Sequence, residues 1–169
     1  KDALAWLAGG AWAEMDSIIA SRGLTSAQVQ VAWMYHHVQE DSISDRTFPN
    51  EATFLQGKFA ELLGQLKTRY PNLQIVYLSG REYGGYDGIN YQGKHPEPDA
   101  HHNNFAQKFL IEAQINNDPA LVFEGASPKA PWITWGYYTW ANGIIKRSDG
   151  MDWLCSDFNP DGAHPNPVG

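Results

Sequence analysis

The fold class of this chain follows from residues 50–78, NEATFLQGKFAELLGQLKTRYPNLQIVYL. Apolar side chains recur at helical spacing up to Leu66, and Pro71 stops the pattern. The pattern predicts a helix over residues 50–70 with Asn50 as its candidate cap. The run that follows, residues 73–78, is typical of a buried strand.

Two further stretches extend this unit. Residues 29–34 (VQVAWM) predict a strand before the helix, and residues 130–135 (APWITW) predict a third strand. A strand, a long helix and another strand require a parallel crossover, so we expect an α/β fold with a parallel sheet. Helical spacing also marks residues 11–22 and 104–115. Residues 79–103 predict a long irregular loop, and a loop of that length inside a compact domain usually carries function.

Length and charge narrow the function classes. The chain has 169 residues and is 43% hydrophobic, which suits one domain over residues 1–169. With 12 basic and 19 acidic residues its net charge is −7, which argues against nucleic-acid and anionic-membrane partners. We find no apolar run of membrane-spanning length and no signal-peptide pattern, so we expect a soluble chain without membrane insertion. The single Cys155 rules out an internal disulfide.

The closing stretch SDFNPDGAHP, residues 156–165, holds the candidate catalytic pair. Asp161 and His164 stand three residues apart, Gly162 permits a tight turn between them, and Pro165 ends it. A carboxylate that orients an imidazole supplies two members of a nucleophilic triad. The alternative is an Asp-Gly turn with a histidine that only caps or packs.

Polar and aromatic side chains follow the second predicted strand. Arg81 and Glu82 come directly after it and could contact a polar substrate or pair with each other and the loop. Aromatic residues nearby could form stacking walls for a sugar or an aryl ester, although each could equally be packing. They are Tyr83, Tyr86, Trp135, Tyr137, Tyr138 and Trp140.

A set of short segments in a fixed order carries a resemblance to a known family. They are QVQVAW (28–33), FP (48–49), YPNL (70–73), YLSGREYGGY (77–86), HPEP (95–98), PW (131–132), WG (135–136), RSDG (147–150) and DGAHP (161–165). The ordered set resembles the SGNH (GDSL-like) hydrolase superfamily of esterases and lipases. It is most similar to a group of uncharacterised, mostly secreted or envelope-associated bacterial SGNH-type proteins.

The resemblance implies a flavodoxin-like three-layer sandwich that is incomplete at both ends in these residues. The family's blocks with the nucleophilic Ser and an oxyanion-hole Gly do not occur in this sequence, and the family continues into a final helix after the position of Gly169. It implies Asp161 and His164 as the catalytic pair and places His36 where the family has an oxyanion-hole amide. Where the family has a Tyr and an acidic residue, this chain has His101 and His102. The expected substrate-binding residues are Arg81, Tyr83, Tyr86, Glu97 and Trp135.

The leading hypothesis is therefore a cofactor-independent, serine-type ester hydrolase acting on a carbohydrate-linked or other polar ester. Ser79 is the only internal serine on the expected face, and nothing marks it as a nucleophile. The nucleophilic Ser would therefore come from a missing N-terminal segment of the same protein or from another chain. The family tendency favours a secreted or cell-envelope location. The alternative is a non-catalytic binding or structural module on the same fold, such as a surface or filament component.

A third, weaker hypothesis is a metal-dependent hydrolase. Several histidines and carboxylates could meet above the sheet, and imidazole with carboxylate suits zinc. They are His36, His37, His95, His101, His102, Glu97 and Asp99. Their spacings match no established zinc signature, and adjacent side chains such as His101 and His102 point apart if the chain is extended there. The leading hypothesis accordingly includes no metal.

Overall fold

The structure is a computed structural model that describes residues 3–35, 37, 44–87, 97–167 and 169. Along the chain run α1 (Ala3–Leu7), α2 (Trp12–Ser21), β1 (Val31–Met34), α3 (Asn50–Arg69), β2 (Ile75–Leu78), α4 (Asp99–Ile115) and β3 (Trp132–Trp135). Single 3-10 turns occupy Ser26–Gln28 and Cys155–Asp157. The predicted α/β class with a parallel sheet is confirmed.

The three strands form one parallel sheet in the order β1, β2, β3. Because crossovers between parallel strands are almost always right-handed, two crossovers that advance the same way place their helices on the same face. In agreement with this rule, α3 and α4 pack against each other, and α1 packs against α3. The sheet therefore carries its described helices on one face, which is the buried one.

The main core lies between this face and the helices. The strands contribute Met34, Val76, Leu78 and Ile133, each at most 3% exposed. The helices contribute Leu55, Phe59, Leu62, Leu63, Ala106 and Leu110 to the same cluster, and Trp12 of α2 joins it. Burying each large aliphatic or aromatic side chain of this kind stabilises the fold by roughly 1.5–3 kcal/mol.

The opposite face of the sheet is exposed and apolar. It presents two rows of aligned residues across the three strands, Val31, Ile75 and Trp132 in one row and Trp33, Tyr77 and Thr134 in the other. Val31 is 56% exposed, Trp33 58%, Tyr77 40% and Trp132 44%. We call these six residues the open face. Parallel sheets in proteins are almost always covered on both faces, which makes the open face unusual.

A buried ionic network joins α3 to α4. Glu51 and His102 are 1% and 4% exposed, and His102 Nδ1 lies 2.8 Å from Glu51 Oε2. Asp99, at the start of α4, forms an ion pair with Arg46. Burial raises the pKa of the Glu51 carboxyl, and the negative charge of Asp99 acts in the same direction, while the bond from His102 opposes them.

The structure corrects several element boundaries. Helix α4 begins at Asp99 and not at residue 104, so residues 99–103 of the expected loop are helical. Asn50 is the first residue of α3 and not its cap, because Pro49 holds the cap position and the Asn50 amide donates to Asp45 Oδ2 at 2.7 Å. Helix α1 was not predicted from the sequence, and β1 and β3 each start two residues later than expected.

None of the helices within the described ranges is both long and apolar enough to cross a lipid bilayer.

Candidate active site

Asp161 and His164 meet in the loop that follows the 3-10 turn at residues 155–157. His164 Nδ1 lies 2.7 Å from Asp161 Oδ2, and Asp161 Oδ1 accepts the backbone N–H groups of Ala163 and His164 at 3.0 and 3.1 Å. One carboxylate thus organises both the turn and the imidazole. The two side chains are in the arrangement that a triad's orienting acid and general base require.

The same contacts determine the charge state of Asp161. The backbone N–H of Ala163 and the His164 side chain, followed by the His164 N–H, lower the pKa of the Asp161 carboxyl to about 2. The carboxylate therefore stays ionised at any pH at which an esterase works. An ionised partner at Nδ1 holds the proton on that nitrogen and leaves Nε2 as the basic one.

The loop is closed on itself by backbone bonds. The N–H of Asn159 donates to His164 O at 2.8 Å, and the N–H of Gly162 donates to Asn159 O at 2.9 Å. Phe158 anchors the start of the loop, because its side chain is 5% exposed and packs on Trp153 and Tyr86 with ring centroids 5.0 and 5.6 Å away. The imidazole is therefore mounted on a closed and anchored loop.

Arg81 connects this loop to the sheet. Arg81 follows β2 at the carboxyl end of the sheet, is 6% exposed, and donates from Nη2 to the Ala163 carbonyl at 3.2 Å. Its own carbonyl accepts the Asn104 side-chain N–H at 2.9 Å. The dyad loop therefore lies at the carboxyl edge of the parallel strands, where ligands bind in open α/β sheets.

His164 is oriented and accessible at the same time. Its side chain is 67% exposed, whereas that of Asp161 is 25% exposed. Across the residues for which positions are given, no serine hydroxyl hydrogen-bonds to the imidazole. Ser79 is fully buried and accepts the Trp33 indole N–H at 2.9 Å, so its hydroxyl is part of the packing beneath the site.

The residues expected to bind substrate occupy different places around this edge. Tyr83 and Tyr86 pack edge-to-face at 5.1 Å, and the Tyr86 hydroxyl donates to Trp153 O at 2.8 Å. Glu97 accepts the N–H groups of Gly84 and the Trp140 indole through Oε1 at 2.9 and 2.8 Å. These bonds hold the loop after β2, and the substrate roles of Tyr83, Tyr86 and Glu97 stay predictions.

The structure places Arg81 and Glu82 in contact with other residues and does not describe the expected oxyanion donor. Arg81 and Glu82 bond to other groups, with Glu82 accepting the Tyr35 hydroxyl at 2.5 Å. Burial raises the pKa of that Tyr35 hydroxyl. His36, the expected oxyanion donor, lies outside the described residues. Trp135 ends β3 on the helix side of the sheet.

The histidines expected for a metal site are divided between described and undescribed positions. His36 and His95 lie outside the described ranges, and within those ranges no group of three or more His, Cys, Asp or Glu side chains is placed to hold a metal ion. His101 and His102 lie on α4, so the expectation of an irregular loop at these two residues was wrong. His102 bonds to Glu51, and burial lowers the pKa of His101.

Comparison with other proteins adds no name to this site. No protein-family model, no curated protein and no solved structure matches the chain.

Sequence reasoning missed the residues that hold the site in place. Asn104, 2% exposed, bonds through Nδ2 to the carbonyls of Arg81 and Ala100 at 2.9 and 2.7 Å. Gln107 bonds to the Ser79 carbonyl at 2.9 Å. Their only signal was amide residues recurring among apolar ones within a helical pattern, which is typical of a helix whose polar side chains are satisfied inside the fold.

Proposed function

We propose that this chain carries the acid and base of a serine-type ester hydrolase on an SGNH-like fold, acting on a carbohydrate-linked or other polar ester. The observation that supports this most is the bond between Asp161 Oδ2 and His164 Nδ1 in a closed loop at the carboxyl edge of the sheet. A histidine that served only as packing would be buried, whereas this one is two-thirds exposed.

The nucleophilic Ser belongs to a segment outside these 169 residues, in the same polypeptide or in another chain. The open face is consistent with this proposal, because a parallel sheet in a three-layer sandwich needs a second helical layer on that side. The segment that brings the Ser would also bring this layer. A flavodoxin-like arrangement of the complete sheet is part of the same proposal.

The chemistry follows from the dyad's geometry. His164 Nε2 takes the proton from the Ser hydroxyl while Oγ attacks the ester carbonyl carbon, and the Nδ1–H stays bonded to Asp161. The tetrahedral intermediate collapses as the imidazolium gives its proton to the leaving alkoxide, which leaves an acyl-serine. Water then attacks the acyl-serine with its proton passing to Nε2, and the acid and the free Ser are released.

The test uses the full-length natural protein, a fluorophosphonate that labels activated serines, and 4-nitrophenyl acetate as substrate. We expect labelling at one serine outside residues 1–169 and ester hydrolysis that the label abolishes. His164→Ala should abolish labelling, and Asp161→Asn should lower kcat by about four orders of magnitude because the imidazole tautomer is no longer fixed. Asp149→Asn, which removes a carboxylate from another turn, should leave kcat within about twofold.

Two results would overturn the proposal. One is hydrolysis of the acetyl ester by a protein that the fluorophosphonate does not label. The other is labelling that His164→Ala leaves unchanged while the variant keeps the wild-type circular-dichroism spectrum.

A non-catalytic module is the second candidate. It is favoured by one observation, that no described serine hydroxyl reaches His164 while the adjoining open face presents a large apolar surface. In that case the full-length protein is neither labelled nor active towards simple esters, and the dyad serves only to close its loop.

A further inference from the structure

A groove lies between α4 and the end of β3. Its volume is about 300 Å³. That volume is at the lower end for small-molecule sites and suits one ring with a short substituent. It is lined by Asn104, Phe105, Lys108, Trp135 and Tyr138, and we call it the α4–β3 groove.

The walls of the α4–β3 groove are aromatic and held in place. Trp135 and Tyr138 meet edge-to-face, with centroids 5.6 Å apart and planes at 78°. Arg147 holds Tyr138 from another side, since its guanidinium carbon is 5.3 Å from the ring centroid and Nη1 donates to Tyr138 O at 3.0 Å. Phe105 is braced edge-to-face by Phe109 at 5.9 Å. Such a corner is organised before any ligand arrives, which reduces the entropy lost on binding.

Among the described residues, Lys108 is the only charged one that lines the groove, and the buried Asn104 Oδ1 has no hydrogen-bond partner. The Asn104 amide is buried and its N–H groups bond to the Arg81 and Ala100 carbonyls, so they are not available to a ligand. Lys108 supplies the ammonium group, with a side chain 51% exposed and Nζ 5.7 Å from the Phe105 centroid. Its partner Glu112 is 3.5 Å away and equally exposed, and such surface pairs are weak.

We propose that the α4–β3 groove binds an aryl carboxylate. Two ring walls at a steep angle accept an aromatic ring with one stacked and one edge-to-face contact. The Lys108 ammonium at the rim complements a carboxylate on that ring. A pyranose fits less well, because its hydroxyl groups would lose water against walls that offer few hydrogen-bond partners.

Binding to the groove can be measured without the proposed hydrolysis, so a binding experiment tests this proposal. Benzoate is titrated into the protein by calorimetry, beside benzyl alcohol, which lacks the charge, and methyl β-glucopyranoside, which represents sugars. We expect one site that binds benzoate more tightly than either comparison ligand. A glucoside that binds more tightly than benzoate would overturn the proposal.

Matched variants locate the site. Trp135→Ala should weaken benzoate binding by about threefold to tenfold or more, as expected for loss of a ring contact. Trp132→Ala removes the tryptophan of the same strand that belongs to the open face, and it should change binding by less than twofold. Tyr138→Leu and its neighbour Tyr137→Leu form a second pair, useful if Trp135→Ala unfolds. If the two variants of each pair bind benzoate with equal affinity, the proposal is overturned.

Lys108→Met tests the carboxylate contact. This variant keeps the length of the side chain and removes its charge, so it should abolish the preference for benzoate over benzyl alcohol. Lys58→Met, which removes a partly exposed lysine from α3, serves as the control and should retain that preference. A preference that persists in Lys108→Met would overturn the assignment of a carboxylate ligand.

Discussion

Gly162 is the residue on which the dyad loop turns. Its φ is +71°, a left-handed conformation that glycine adopts without strain, and a Cβ there would collide with the Tyr86 carbonyl. Gly150 has a similar φ of +88° but open space where its Cβ would be. The two glycines therefore separate the cost of the backbone conformation from the cost of close packing.

We predict that Gly162→Ala lowers the free energy of unfolding more than Gly150→Ala does. The left-handed conformation should cost about 1–2 kcal/mol in each variant, and the collision at residue 162 should add about 1–3 kcal/mol. Urea denaturation at neutral pH measures both values. Equal losses would mean that the loop moves away from Tyr86 without resistance, and the anchoring described for the dyad would be wrong.

The contact within the dyad was predictable and its attachment was not. Asp161 and His164 are close in sequence, and the Gly162 turn brings them together whatever the rest of the fold does. The bond from Arg81 to Ala163 joins residues 82 positions apart, and no local pattern indicates it. Arg81 was expected to contact substrate or to pair with Glu82 and the loop, and its substrate role stays a prediction. Its bond to Ala163 was not expected, because a long-range partner is invisible in a single sequence.

At the scale of elements, α3 and β2 were the most predictable because their apolar residues follow one period. The start of α4 was missed for the opposite reason. Asp99, His102, Asn103 and Asn104 are all at most 8% exposed, so a polar stretch that reads as a loop lies inside the fold as helix. Three of these side chains have partners far away in sequence, which the sequence alone does not reveal: Arg46 for Asp99, Glu51 for His102 and the Arg81 carbonyl for Asn104.

The pairing of α3 with α4 predicts a pH dependence. Burial raises the folded-state pKa of Glu51 above 4.5, so its contribution to stability is complete below pH 4.5 and is lost as the pH rises through the folded value. Glu51→Gln stays neutral at every pH. Relative to the wild type, this variant should therefore gain stability as the pH rises from 4 to 8.

Chemical denaturation at several pH values checks this prediction. Glu61→Gln, which removes an exposed carboxylate paired with Lys58 on the same helix, is the control and should follow the wild type within about 0.5 kcal/mol. A Glu51→Gln variant whose stability relative to the wild type falls with pH would contradict the raised pKa.

At the scale of the whole molecule, the open face is an apolar surface in contact with water. We predict that a hydrophobic dye such as ANS binds to the folded chain of 169 residues at this face. Tyr77→Thr, in the middle strand, should reduce dye fluorescence and self-association while changing the free energy of unfolding by about 1 kcal/mol or less. Threonine keeps the strand preference of the position.

The matched control is Ile145→Thr, which removes an exposed apolar residue from another part of the surface. Dye fluorescence and sedimentation velocity are measured on both variants. If Ile145→Thr lowers dye binding as much as Tyr77→Thr, the dye does not report the open face. When the segment that forms the proposed second helical layer covers the open face, dye fluorescence should fall in both variants.

The open face also bears on the calorimetry of the folded chain. The heat capacity change of unfolding rises with the apolar surface that becomes hydrated when the chain unfolds. Val31, Trp33, Tyr77 and Trp132 are already in contact with water in the folded state, so they add less to that change than buried side chains do. The free energy of unfolding of this chain should consequently change less with temperature than that of an α/β domain of equal length whose sheet is covered on both faces. Its tendency to cold denaturation should also be weaker.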